Sequence, residues 1–268
     1  MLRLYIEAPF AAFRPFTAGW YRPTAAFMTP SAAYGLALNL AGVETRRDDG
    51  LSPMMVTVFD LPPARIALGA ASGRMPTVQT LFQQLHNYTV GKGSKVDDPD
   101  NPGVKAYQGD IAKRRVKGNK FNITPVRREF LSDLRAIVAI DFFDRPDVEA
   151  AIRAALSPNP PSQATPRYGL PFLGDNAFLP SKIKVIEDSI EAKWFERLTD
   201  AADSSRIEGI VPNSTRLTIW IDRQDMSRTK SALYAPMSPA SVEPPDLAWT
   251  HIDPPKAPNP PSKKGKKA

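Results

Sequence analysis

Residues 1–42, MLRLYIEAPFAAFRPFTAGWYRPTAAFMTPSAAYGLALNLAG, open with a strand and close with a helix, and that pair organises everything after it. Leu2, Leu4 and Ile6 fall on one face, and Arg3, Tyr5 and Glu7 on the other. This period of two marks a half-buried strand. A polar and aromatic loop, Ala8 to Met28, follows. Thr29 is placed to cap a helix whose first position is Pro30, where a missing N–H leaves no bond unmade. Ala33, Leu36, Ala37 and Leu40 recur at helical spacing, and Gly42 fits a C-terminal cap. The alanines keep this helix slim enough to lie close to a sheet.

Outward from this pair, strands are expected at Met54–Phe59 and Arg65–Leu68. A second helix is expected after Pro76, with Val78, Leu81, Phe82 and Leu85 on one face. Between Asn87 and Asn122 the pattern dissolves into Gly, Pro, Asp and Asn, as in a long projecting loop or hairpin. Thr124–Leu131 and Arg135–Phe142 then read as a hairpin turning at Ser132–Asp133. A helix follows from Asp147 to Leu156, with Val148, Ile152 and Ala155 inward, and a strand at Ile183–Ile186. With the insertion set aside, the order is β-α-β-β-α-β, the split βαβ unit of ferredoxin-like (RRM-like) α+β folds. Residues 1–189 form this domain, with the insertion at about 87–122. Residues 190–250 form a small C-terminal β-rich region, with a short amphipathic helix at Ile190–Leu198 and strands at Leu217–Ile221 and Leu233–Tyr234. Residues 251–268, proline-rich and then lysine-rich, read as a disordered tail.

Composition narrows the chemistry. Among 268 residues there are 35 Lys+Arg against 28 Asp+Glu, a formal charge of +7 that suits a nucleic-acid partner. There is no cysteine, which excludes disulfides, thiolate metal sites and cysteine nucleophiles. His86 and His251 are the only histidines, too few for a histidine-rich metal site. P-loop, GxGxxG and GxSxG patterns are absent, and no cofactor or metal is expected. No apolar run reaches the ~18 residues of a membrane span, and Arg3 and Glu7 interrupt any secretory signal, so a cytoplasmic location is expected.

The strongest binding signal is Lys113–Arg128, KRRVKGNKFNITPVRR, with seven basic residues, no acid and one aromatic ring, Phe121. Lys113, Arg114, Arg115, Lys117, Lys120, Arg127 and Arg128 are candidates to neutralise phosphates, while an aromatic face stacks on a base. The bland alternative is a solvated loop. A second signal is the first loop, where Arg14, Tyr21 and Arg22 precede a helix N-terminus; Trp20 beside them fits either a ligand contact or a core plug. His86 is a candidate general base, or a helix-end histidine facing the dipole.

Residues Ile6–Glu44, IEAPFAAFRPFTAGWYRPTAAFMTPSAAYGLALNLAGVE, closely resemble the CasD-type family, the fifth CRISPR-associated protein family of the RAMP superfamily. The resemblance rests on AAFR at Ala11–Arg14, the helix at Thr29–Gly42, VRREFL at Val126–Leu131 and YGLPFLGDNAFLP at Tyr168–Pro180. It covers residues 1–190 and is nearest the Myxococcus-like type I branch. It implies a RAMP domain with an inserted thumb. It also implies a role in the Cascade surveillance complex: gripping the 5′ handle of the crRNA, contacting the backbone and large subunits, and meeting target DNA only indirectly. One branch of the family cleaves the repeat RNA with Tyr, Lys and His and no metal. Here the basic run holds no histidine, so Tyr34, Lys120 and His86 would have to converge. A non-catalytic RNA binder is therefore the leading expectation. A metal-independent endoribonuclease is the runner-up, and a scaffold for an acidic protein is the third reading.

Overall fold

A computed structural model describes residues 1–15, 21–50, 55–85, 95–107, 124–158, 169–187, 189–198, 213–223 and 225–257. The chain forms two compact units: Met1–Phe16, Thr24–Val78 and Phe130–Ala268 in the first, and Thr17–Pro23 with Gln79–Glu129 in the second.

The first unit is an α+β fold on one antiparallel sheet. Its core elements are β1 (Leu2–Ala11), α1 (Pro30–Leu40), β4 (Ala64–Ala71), β8 (Thr124–Asp141), α2 (Pro146–Ala155) and β9 (Lys182–Val185). Their sheet order is β4-β8-β1-β9, and each neighbour is antiparallel. β1 and β4 therefore run parallel with β8 between them, and β8 and β9 run parallel with β1 between them. Two interlocked split βαβ units result, the ferredoxin-like arrangement.

Period-two alternation divides the side chains between two faces. Leu4 and Ile6 of β1, Ile66 and Leu68 of β4, and Val138 and Ile140 of β8 join the core under the helices, where Leu38 of α1 and Val148 and Ile152 of α2 close it. Ala67, Ile137 and Ala139 face the other way, onto Trp194 and Ala248. β8 is thus apolar on both faces, as expected for a covered strand.

Helix α1 is bounded as the sequence predicts. Thr29 Oγ1 accepts from the Ala32 N–H at 3.2 Å. At the other end Gly42 takes φ +74° while its N–H donates to Asn39 O and the Val43 N–H to Leu38 O, the paired bonds of a Schellman cap.

Several expectations are corrected. The helix after Pro76 is a strand, β5 (Thr77–Leu85), which pairs with β8. Its helical spacing has no core to face, because Val78, Leu81 and Phe82 are all exposed, Phe82 at 78%. The pairing edge of β8 decides instead. The hairpin at 124–142 is one 18-residue strand, β8. Asp133 does take φ +57°, but opposite Pro9, which has no N–H to offer; pairing resumes at Ala8–Leu134 and Phe10–Ser132. The turn signal is absorbed as a local irregularity. Hence the second core strand is β4, and the insertion falls between the second and third strands rather than before the second.

The helix at Ile190–Leu198 is also a strand, β10 (Ala192–Arg197), paired with Gly69–Ala71 of β4. β11 (Thr215–Trp220) and β12 (Lys230–Pro236) extend the same sheet beyond β10, so the C-terminal strands continue the main sheet. The start of the expected tail is ordered: β13 (Thr250–Ile252) pairs with Ala64–Ile66, and the Ala257 N–H donates to Asp60 Oδ1 at 3.2 Å. Residues 258–268 lie outside the described residues. The strand expected at Met54–Phe59 shortens to β3 (Val56–Thr57), which pairs with β2 (Arg46–Arg47) apart from the main sheet.

In the second unit, β6 (Lys95–Asp97) and β7 (Lys105–Tyr107) form a small hairpin. Asp98 caps its turn, accepting from the Asp100 N–H and from Asn101 Nδ2.

Candidate nucleic-acid interface

Four of the sequence candidates meet in the second unit. Arg22 and Arg128 form a parallel backbone bridge: the Arg22 N–H donates to Arg127 O at 3.0 Å, and the Glu129 N–H to Arg22 O at 2.9 Å. This bridge brings residues 21–22 beside residues 127–129, 108 positions apart from Tyr21 to Glu129.

Side chains follow the backbone. The Arg127 guanidinium lies 4.8 Å from the centroid of the Tyr21 ring. The Tyr21 hydroxyl donates to Glu129 Oε1, and Arg127 Nη2 lies 4.0 Å from the same oxygen. Arg128 Nη1 donates to Gln83 Oε1 at 3.1 Å. The Tyr21 ring stays 41% exposed. The surface that results is a tyrosine face braced by a carboxylate and stacked on by Arg127, with Arg22 and Arg128 on the adjoining backbone bridge.

Glu129 sets the protonation of this group. The Tyr21 phenol is pushed above its ordinary value, chiefly by its hydrogen bond to Glu129, then by burial and the Glu129 charge, with Arg127 opposing. Tyr21 therefore holds its proton at neutral pH and donates it in the hydrogen bond to Glu129. Sequence reasoning does not single out Glu129 or Gln83. The one local clue to Glu129 is its place as the acid that ends a basic run.

Arg14 does not join this cluster. It belongs to the first unit, where its Nη2 lies 2.7 Å from Oδ2 of the buried Asp175. The backbone bond from Ala12 N to Leu173 O, at 3.1 Å, holds the two segments together. Arg14 is thereby committed to a structural pair. Tyr34 is committed as well: it is buried and donates to Pro62 O at 2.7 Å, and burial pushes its phenol well above the ordinary range. His251 is exposed on β13 and stacks on Phe143 at 6.2 Å. Lys113, Arg114, Arg115, Lys117, Lys120, Trp20 and His86 lie outside the described residues.

Among the described residues no three His, Asp or Glu side chains gather as a metal site. No described helix is long and apolar enough to cross a membrane.

No protein-family model and no curated protein matches the chain. Two of the solved structures similar to it are the following. One, described as a CRISPR RNA-guided surveillance complex, is 14% identical over 87% of this chain and 87% of its own, with a TM-score of 0.41. The other, described as a Cas protein, is 14% identical over 87% of this chain and 92% of its own, with a TM-score of 0.39.

Proposed function

We propose that this protein is a non-catalytic, single-stranded RNA-binding subunit of a type I CRISPR Cascade complex that holds the 5′ handle of the crRNA. The observation that carries the reading is the Arg127–Tyr21 stack, bridged to Arg22 and Arg128. An exposed aromatic face with flanking guanidiniums binds a strand by stacking on a base and neutralising its phosphates. The family resemblance of the four sequence blocks names the RNA, the backbone and large subunits as partners, and the segment from 87 to 122 as the thumb. The absence of catalysis is part of the same proposal: Tyr21 is a donor to Glu129, and Tyr34 is a buried donor to Pro62, so neither phenol serves as a general base.

The test is binding of a repeat-derived single-stranded RNA by fluorescence anisotropy. Tyr21→Ala is expected to weaken binding roughly tenfold, the loss of one stacked base, whereas Tyr21→Phe retains most of the affinity. Equal affinity for wild type and Tyr21→Ala overturns the interface. Cleavage of the repeat at one site by the purified protein in EDTA overturns the non-catalytic role and favours an endoribonuclease.

A further inference from the structure

The first unit holds a cavity on residues that the RNA-binding reading does not use. It has a volume of about 650 Å³ and runs along one side of α1. That volume falls within the range of small-molecule sites, which combine apolar walls with a few placed polar groups. The walls here include Leu36, Phe172 and Trp220; the charged groups are Arg14, Glu44, Arg46 and Arg223.

Two of these charges are already engaged. Arg14 pairs with Asp175, and Glu44 Oε1 accepts from the Arg46 backbone N–H at 2.8 Å. The other two are not. Neither the Arg46 nor the Arg223 side chain has a carboxylate partner among the described residues. They stand close enough to act on each other: burial first, and then the charge of Arg46, push the Arg223 guanidinium below its ordinary range. Two guanidiniums at one half-enclosed space, with Glu44 the single carboxylate in its lining, repel one another, and the partly buried Arg223 also loses solvation. A bound dianion relieves both penalties, and a phosphate group accepts the two planar forks.

Gly35 adds an independent sign. It sits in the interior of α1, where glycine is about 1 kcal/mol less favourable than alanine. A Cβ at this position would meet nothing within 4 Å, so no packing in the fold requires its absence. Gly35 lines the cavity, and the missing side chain keeps that space open. Trp220, tilted against Tyr34 with ring centroids 6.3 Å apart, supplies a flat aromatic wall to the same space.

We propose that this cavity binds a nucleoside 5′-phosphate unit, its phosphate between Arg46 and Arg223 and its base against Trp220. The unit is either a free mononucleotide or the phosphorylated end of a strand; the chemistry of recognition is the same.

Calorimetric titration of the full chain distinguishes these sources and tests the site. The probes are adenosine and uridine 5′-monophosphates, adenosine, inorganic phosphate, and a 5′-phosphorylated tetraribonucleotide with its 5′-hydroxyl counterpart. The expected result is saturable binding of a mononucleotide, with adenosine and inorganic phosphate each weaker by roughly tenfold or more. Arg46→Ala and Arg223→Ala each weaken binding by about the same factor. Gly35→Leu intrudes on the cavity from a helix-compatible position, so it weakens binding while the melting temperature is kept or raised. Preference of the phosphorylated tetranucleotide over both its 5′-hydroxyl counterpart and the mononucleotide identifies a strand end, and the reverse a free nucleotide. No saturable binding of any phosphate-bearing probe, or binding unchanged in Gly35→Leu, overturns the proposal. Failure here is read by calorimetry of the mononucleotide and failure of the RNA interface by anisotropy of the repeat RNA, so the two are told apart.

Discussion

Gly174→Ala is expected to be among the most damaging small changes in the first unit. Gly174 takes φ +78°, a conformation that costs a residue with a Cβ about 1–2 kcal/mol. The added Cβ would also lie 2.0 Å from the backbone oxygen of Ala12, where ordinary contact begins near 3.4 Å. Because that oxygen belongs to the main chain, relief requires the segments at Ala12 and Leu173 to part. Their hydrogen bond, Ala12 N to Leu173 O, is then broken, at a net cost of about 1 kcal/mol. Asp175, one residue on and 8% exposed, loses its geometry toward Arg14, which adds about 1–2 kcal/mol for a poorly satisfied buried carboxylate. The sum is about 3–5 kcal/mol, to be read by urea unfolding. Gly169→Ala is the matched control. Gly169 takes φ +90° with nothing within 4 Å of a Cβ, so it carries the backbone strain alone. The expected difference between the two variants is about 2–3 kcal/mol. Equal destabilisation would refute the reasoning, because it would show that the Ala12 oxygen moves aside freely.

Three further outcomes are expected. Ile252 of β13 is 1% exposed, so Ile252→Ala is expected to lower stability by about 2–5 kcal/mol in the same unfolding assay; an unchanged midpoint would return this segment to a disordered tail. Burial raises the Asp141 carboxyl, but the Phe143 N–H, Arg65 and the N-terminal ammonium outweigh it and hold the pKa below the ordinary carboxylate value. The stability this group contributes is present above its unfolded pKa and is lost as pH falls below about 4; Asp141→Asn is expected to flatten that acid limb of a thermal-melt pH series. For RNA binding, replacing Arg22, Arg127 and Arg128 together by alanine is expected to reduce the log–log salt slope by about 0.7 for each phosphate no longer neutralised, measured by anisotropy from low to moderate salt.

How much is legible in the sequence depends on whether the cause is local. β1, α1, α2 and β9 are readable because their signals lie inside them: period-two alternation at Leu2–Glu7, the Thr29 and Gly42 caps, and Val148 and Ile152 one turn apart. Their order is enough to give the α+β split βαβ architecture, even though it misplaces the second core strand. Residues 77–85 and 192–197 carry helical spacing and are strands, because an open edge of β8 or β4 satisfies their backbone groups, and spacing carries no information about which edges are free. Asp133 carries a turn signal that a continuous ladder overrides, since the residue opposite is Pro9 and no donor is stranded there. The site divides in the same way. Tyr21, Arg22, Arg127 and Arg128 are readable as types, aromatic and basic in polar segments. Only the bridge between Arg22 and Arg128 brings the two segments together and makes Glu129 the brace of Tyr21. Arg46 and Arg223 stand outside the basic run and carry no local signal; what distinguishes them is a shared cavity in which neither side chain is paired with a carboxylate. The sequence by itself determined the periodicities, the caps and the charge, because each is a property of neighbouring residues. Tertiary structure alone decided which edges pair, which arginines are already matched and which are left facing open space, because those outcomes depend on groups far apart in the chain.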